Sequence, residues 1–176
     1  MAYLENKLMF YVLLAFLIST LTFVGGKVKA DNDYKEDPAY LSAGLGYYDF
    51  NRKKDTGIEF RVEYRSDKKL AIFKPFAAIS VTNTSQGFVG AGFFLDLFMG
   101  RRIVLTPSFA PHYYWGGNKK LDLGHSIEFR SQMEIAYRFD NRSRLGMAIS
   151  HYSNASLGDK NPGTETGTIY FSLPLQ

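Results

Sequence analysis

From about residue 40 onward, apolar and polar residues alternate. In GIEFRVEYR, Ile58, Phe60, Val62 and Tyr64 fall on one side, and Glu59, Arg61, Glu63 and Arg65 on the other. SIEFRSQMEIAYRF repeats the pattern. There Ile127, Phe129, Met133, Ile135 and Tyr137 share one face, and Glu128, Arg130, Gln132, Glu134 and Arg138 share the opposite one. VGAGFFLDLFM places Val89, Ala91, Phe93, Leu95, Leu97 and Met99 on one side. A period of two is the signature of a strand with two unlike faces. Eight strands are predicted, at roughly 40–50, 56–65, 70–82, 87–99, 103–115, 125–139, 144–153 and 165–175. The polar segments RSDKK, NTSQ, GRR and DNRS read as short turns, and NRKKDTG, GGNKKLDLG and NASLGDKNPG as longer connections.

Most of these strands reach the length of about 9–11 residues that crosses a bilayer when tilted. The alternation alone also fits a soluble barrel with its apolar faces inward. An eight-stranded barrel, however, has an interior just wide enough for side chains. Several aromatic and branched residues from every strand would overfill it, whereas neighbouring Glu and Arg can pair there and satisfy one another. The expected fold is therefore all-β, an eight-stranded antiparallel up-and-down transmembrane barrel spanning residues 31–176. RSDKK, GRR and DNRS would be periplasmic turns and the longer loops extracellular.

The first 30 residues read differently. Lys7 precedes the apolar run LMFYVLLAFLISTLTFV, and Val28-Lys29-Ala30 supplies a small-residue exit. This is the layout of a secretory signal peptide, with an uncleaved anchor as the alternative. The chain has 21 Lys and Arg against 17 Asp and Glu. Lys7, Lys27, Lys29 and Glu5 lie in the leader, which leaves 18 basic and 16 acidic residues, a balance that argues against a nucleic-acid partner. There is no cysteine, so neither a disulfide framework nor thiolate chemistry is available. Aromatic residues make up 16% of the chain, which suits interfacial aromatic belts.

Candidate chemistry concentrates in the last hairpin, AISHYSNASLGDKNPGTET. Leu145, Met147 and Ile149 set the outward face of the seventh strand, and counting on by twos reaches His151 and Ser153. Ile169, Phe171, Leu173 and Leu175 set that of the eighth, and counting back reaches Gly167 and Glu165. All three reactive groups thus fall on the lipid-facing side, at the loop end. Charge on that face costs about 2–4 kcal/mol for Lys or Arg at the midplane but falls to about 0–1 at the interface. Ester hydrolysis needs a nucleophile, a base and a group to hold the base. Ser153, His151 and Glu165 supply these types, with His151 close enough to Ser153 to hydrogen-bond in suitable rotamers. Asn154, Asn161 and the amides near Gly158 and Gly163 are candidate oxyanion donors.

HYSNASLGDKNPGTE resembles the signature of the lipid A 3-O-deacylase family of the PagL type: His-x-Ser-Asn, then Asn-Pro-Gly, then a Glu fourteen residues after the His. The resemblance covers about the last 30 residues. It implies an eight-stranded outer-membrane barrel of a Gram-negative bacterium with its catalytic triad on the outer wall, facing the outer leaflet. It would make Ser153 the nucleophile, His151 the base and Glu165 the orienting group, with Asn154 and Asn161 as oxyanion or support residues. It implies no cofactor and no metal, and lipid A or lipopolysaccharide as the partner in the membrane; a homodimer is compatible with it. One departure is the terminal FSLPLQ, where barrels of this type end in an aromatic residue.

Other features have plainer readings. His112 and His125 lack acidic partners at metal-ligand spacing and read as polar barrel or loop residues. Tyr113, Tyr114 and Trp115 read as a loop-end aromatic belt, with contact to a lipid headgroup as the functional alternative. Arg52, Lys53, Lys54, Lys119 and Lys120 are loop charges, with attraction to lipid A phosphates as theirs. Two rival functions remain at this stage: a non-catalytic anchoring or adhesive barrel, and a soluble periplasmic lipid-binding barrel.

Overall fold

A computed structural model of the protein describes residues 37–175; the expected leader and Gln176 lie outside the described residues. The strands are β1 (Tyr40–Tyr48), β2 (Gly57–Arg65), β3 (Lys74–Thr82), β4 (Gly87–Phe94), β5 (Leu97–Met99), β6 (Ile103–Trp115), β7 (Ile127–Arg138), β8 (Arg144–Ser153) and β9 (Thr164–Pro174). Pairing is antiparallel throughout. β9 pairs with β1, and β4 and β5 both pair with β6, one after the other. The result is a closed barrel of eight wall strands.

The sequence predicts one strand over 87–99, and the structure divides it at Leu95 and Asp96. The cause lies opposite. Pro107 of β6 has no N–H to donate, so the ladder lapses between the Phe94–Ser108 and Leu97–Leu105 pairs. Asp96 instead binds Arg144, Lys74 and Thr106. The third strand starts at Lys74 rather than 70, because Leu70 and Phe73 pair with each other in a tight turn. The sixth wall strand, β7, likewise starts at Ile127 rather than 125, after His125 has bonded the Ile127 amide.

The inside-out arrangement read from the alternation holds. Leu45, Ile58, Phe60, Met147 and Ile169 stand exposed on the outer wall. Continuous exposed apolar surface on this scale marks a lipid-facing protein, which removes the soluble-barrel reading. Inside, Arg61 pairs with Glu59 at 2.7 Å, Arg65 with Glu63 at 2.9 Å and Glu134 at 2.6 Å, and Arg130 with Glu63 at 2.7 Å. Arg61 also reaches across the lumen to Gln132, Ser150 and Tyr170. Gly44 leaves room for this network: a Cβ there would stand 2.8 Å from the Tyr170 ring. Arg61, Arg65, Glu63 and Glu134 are thus paired and hydrogen-bonded, as burial requires, whereas both carboxylate oxygens of the fully buried Glu128 lack a hydrogen-bond partner among the described residues.

Candidate active site on the outer wall

β8 and β9 bring His151 and Glu165 together as direct cross-strand partners. The fourteen-residue spacing is hairpin geometry, with each residue equally far from the turn. Directly opposite residues of an antiparallel pair have Cβ atoms about 4.5–5.5 Å apart, and here His151 Nδ1 lies 3.1 Å from Glu165 Oε1. Ser153 follows two residues later on the same face and ends β8.

All three occupy the outward phase, yet only Ser153 is partly open. Ile149 is 60% exposed on the same row, whereas His151 is 7% and Glu165 3% exposed. The 154–163 loop folds back over them. Gly163, at φ +64°, lies so close that a Cβ there would stand 3.1 Å from the His151 ring and 2.9 Å from the Tyr152 carbonyl oxygen. The groups keep the lipid-facing phase, and within it the His–Glu pair is buried.

The Ser153 hydroxyl oxygen accepts from Asn161 Nδ2 at 3.0 Å and from the Ala155 amide at 3.2 Å. A hydroxyl offers two lone pairs and one proton, so with both lone pairs engaged its proton remains to be given. Among the described residues no hydrogen bond joins Ser153 to His151; such contacts in a ligand-free site commonly tighten only when substrate binds. The donor near Ser153 is the Ala155 amide rather than those of Gly158 or Gly163. Ala155 and Ser156 both adopt left-handed backbone, φ +54° and +66°, which is uncommon for residues other than glycine.

Asn154 and Asn161 divide their work. Asn161 contacts Ser153 and also accepts from the Asn154 amide through Oδ1. Asn154 is fully buried and faces away from the serine. Its Nδ2 donates to the Leu123 and Lys160 carbonyls, and its Oδ1 accepts from the Ser156 amide. It ties the β6–β7 and β8–β9 loops together beneath the site. Two neighbours went unremarked in the sequence. Ala155 contributes through its backbone, which no side-chain pattern marks. Ser131, the cross-strand partner of His151 on β7, was legible as the polar member of the outward row Phe129, Ser131, Met133. Among the described residues, no group of three or more His, Cys, Asp or Glu side chains gathers as a metal site.

Comparison with known proteins gives the family. The lipid A 3-O-deacylase (PagL) family matches residues 40–174, nearly the whole barrel and all of the site. The chain belongs to that family. Lipid A deacylase PagL of Pseudomonas aeruginosa is 32% identical over 54 residues, a stretch that spans 31% of this chain and 31% of that relative. The crystal structure of the outer membrane enzyme PagL superposes with a TM-score of 0.61 at 20% identity, covering 77% of this chain and 99% of that one. The crystal structure of Neisserial surface protein A gives a TM-score of 0.53 at 9% identity, covering 78% of this chain and 96% of that one. At such identities these two structures speak for the barrel fold, and the family match is what separates this member from barrels of other kinds.

Proposed function

We propose that the protein is a lipid A 3-O-deacylase of the outer membrane, a serine esterase whose site faces the outer leaflet. The observation that carries the reading is the shielded His151–Glu165 pair beside Ser153, at the loop end of a lipid-facing wall. Glu165 accepts the Nδ1 proton of His151 and leaves Nε2 free as a base. His151 takes the Ser153 proton as Oγ attacks the carbonyl carbon of the ester at the 3 position of lipid A. Negative charge gathers on the carbonyl oxygen of the tetrahedral intermediate, where the Asn161 amide and the Ala155 N–H are the donors at hand. The imidazolium then protonates the departing sugar oxygen, and water releases the fatty acid from Ser153 by the same relay. Asn154 supports the loop that carries these donors.

The test is release of fatty acid from purified lipid A in detergent, with EDTA present, alongside mass spectrometry of lipid A from cells with and without the protein. Ser153→Ala and His151→Ala should each abolish release while the barrel stays folded, and the double variant should lose little more than either alone, because residues of one relay act as a unit. Near-normal release by folded Ser153→Ala would rule out the serine route and point to direct activation of water by His151 with Glu165, whereas no release by the unaltered protein would favour an anchoring or adhesive barrel.

A further inference from the structure

Just beyond Ser153, on the loop side, lies an open recess of about 480 Å³ between the β6–β7 and β8–β9 loops. Its walls include Trp115, Asp122, His125, Asp159 and Lys160. The two loops meet backbone to backbone. A Cβ on Gly124, at φ +88°, would stand 2.4 Å from the Lys160 carbonyl oxygen, and one on Gly158 equally near that of Gly124. Substituted residues would push these loops apart, so the glycines define the shape of the cup.

Position links the recess to the scissile bond. Ser153 is opposite Phe129 of β7, and His125 lies four residues further along the same line, at most about 13 Å at the usual strand rise. Asn154, next to the nucleophile, holds both walls through the Leu123 and Lys160 carbonyls. An ester bound at Ser153 with its acyl chain toward the apolar wall would direct its alcohol half here.

The lining is suited to a hydroxyl-rich ring. Trp115, whose indole stacks on Tyr113 and lies over Gly87 of β4, keeps a partly exposed ring at the wall of the recess for the C–H side of a sugar. Asp122 and Asp159 are acceptors for hydroxyl groups. His125 Nδ1 is engaged by the Ile127 amide at 2.9 Å and lies 3.3 Å from the Ile127 carbonyl oxygen, which leaves Nε2 as the ring nitrogen available to a ligand hydroxyl. Asp122 takes the Gly124 amide and the Lys160 ammonium, each at 3.0 Å, and these hold its carboxyl below the usual carboxylate range. Two carboxylates against one ammonium give the cup no net attraction for phosphate.

We infer that this recess is the subsite for the sugar ring that bears the scissile ester, recognised through its hydroxyls and its apolar face rather than through phosphate. The inference rests on the deacylase reading above. Trp115 is the single tryptophan of the chain, so its fluorescence reports the recess directly. Folded Ser153→Ala protein in detergent is titrated with three probes: a phosphate-free 3-O-acyl glucosamine lipid, the methyl ester of the same fatty acid, and inorganic phosphate. A saturable Trp115 response is expected with the sugar lipid alone, and it should weaken about tenfold in Asp159→Ala and in His125→Ala. In the active protein, the same two changes should lower the ratio of kcat/KM for the sugar lipid to that for the methyl ester about tenfold. An equal Trp115 response to the methyl ester or to phosphate, or an unchanged ratio, would overturn the assignment. If the protein hydrolyses neither ester yet Trp115 still responds to the sugar lipid alone, the deacylase reading fails and the sugar subsite stands.

Discussion

Replacing Glu165 by Gln keeps the shape of the side chain and removes its charge. The carboxylate oxygen lies 3.1 Å from His151 Nδ1, which puts the two charge centres about 4 Å apart once His151 becomes an imidazolium. At an effective dielectric of about 20 the attraction is about 4 kcal/mol. That stabilisation exists only while His151 carries the serine proton, so its loss falls on the transition state. It corresponds to about a thousandfold in kcat, with KM little changed. Because both groups are buried, added salt should recover little of the loss. The assay is single-turnover release of fatty acid from detergent-solubilised lipid A, with heat-modifiable mobility as the check on folding. A drop of less than about tenfold in a folded Glu165→Gln protein would show that His151 does not depend on this carboxylate, and the relay as drawn would be wrong.

Three further outcomes follow from the same geometry. Glu63→Leu should destabilise the barrel by about 3–5 kcal/mol in detergent unfolding, because it strands the buried Arg130 guanidinium that Glu63 binds at 2.7 Å, whereas Phe60→Leu on the lipid-facing wall should cost less than about 1.5 kcal/mol; equal effects would contradict the inside-out assignment. Burial alone would raise the Asp37 carboxyl, but hydrogen bonds from Arg138 and Arg144 prevail and hold it below its ordinary value, so its contribution is fully present above about pH 4 and disappears as pH falls through the lowered folded value; acid titration of unfolding should show this loss in the protein and not in Asp37→Asn. Gly163→Ala should reduce kcat by about tenfold or more without dismantling the barrel, since the left-handed backbone disfavours a Cβ by about 1–2 kcal/mol and the new methyl presses on the His151 ring; unimpaired turnover would mean that the loop yields freely.

The sequence discloses the parts of this molecule that depend on parity and leaves unreadable those that depend on how loops fold back. Alternation in GIEFRVEYR puts Arg61 and Glu63 in the lumen because a strand has only two faces. His151 and Glu165 are legible for the same reason: an antiparallel hairpin matches residues at equal distances from its turn, so spacing and phase together place them side by side. Burial of the pair is different in kind. It comes from the left-handed Gly163 bringing the loop onto the His151 ring, a contact that no periodicity encodes. The Ala155 amide escapes notice because a backbone donor leaves no side-chain trace, and Asn154 looks catalytic beside Ser153 although its amide is committed to two loop carbonyls. The break in the fourth wall strand could have been found from Pro107, but only once its partner strand was known.

On the proposed reading, the crowded lumen also accounts for chemistry on the outside of the barrel. Arg61, Arg65, Arg130 and their carboxylate partners fill the interior of eight strands, and Arg61 bonds residues on β7, β8 and β9. Opening that space to an acyl chain would separate buried charges from their partners, at several kcal/mol for each pair broken. The outer wall has no such penalty, because Met147 and Ile149 already stand exposed on its lipid-facing side. What that wall lacks is a place for ionisable groups, and the loop end provides it. The cost of charge there is small, and a loop anchored by Asn154 can cover the His151–Glu165 pair while leaving the edge of Ser153 open. A bilayer substrate presents its ester at the boundary between tail and headgroup, and this is the level at which the apolar strand face gives way to the polar loops. On this reasoning the site depends on its height along the wall, and moving His151, Ser153 and Glu165 one full pleat deeper should cost more activity than any single neighbouring contact.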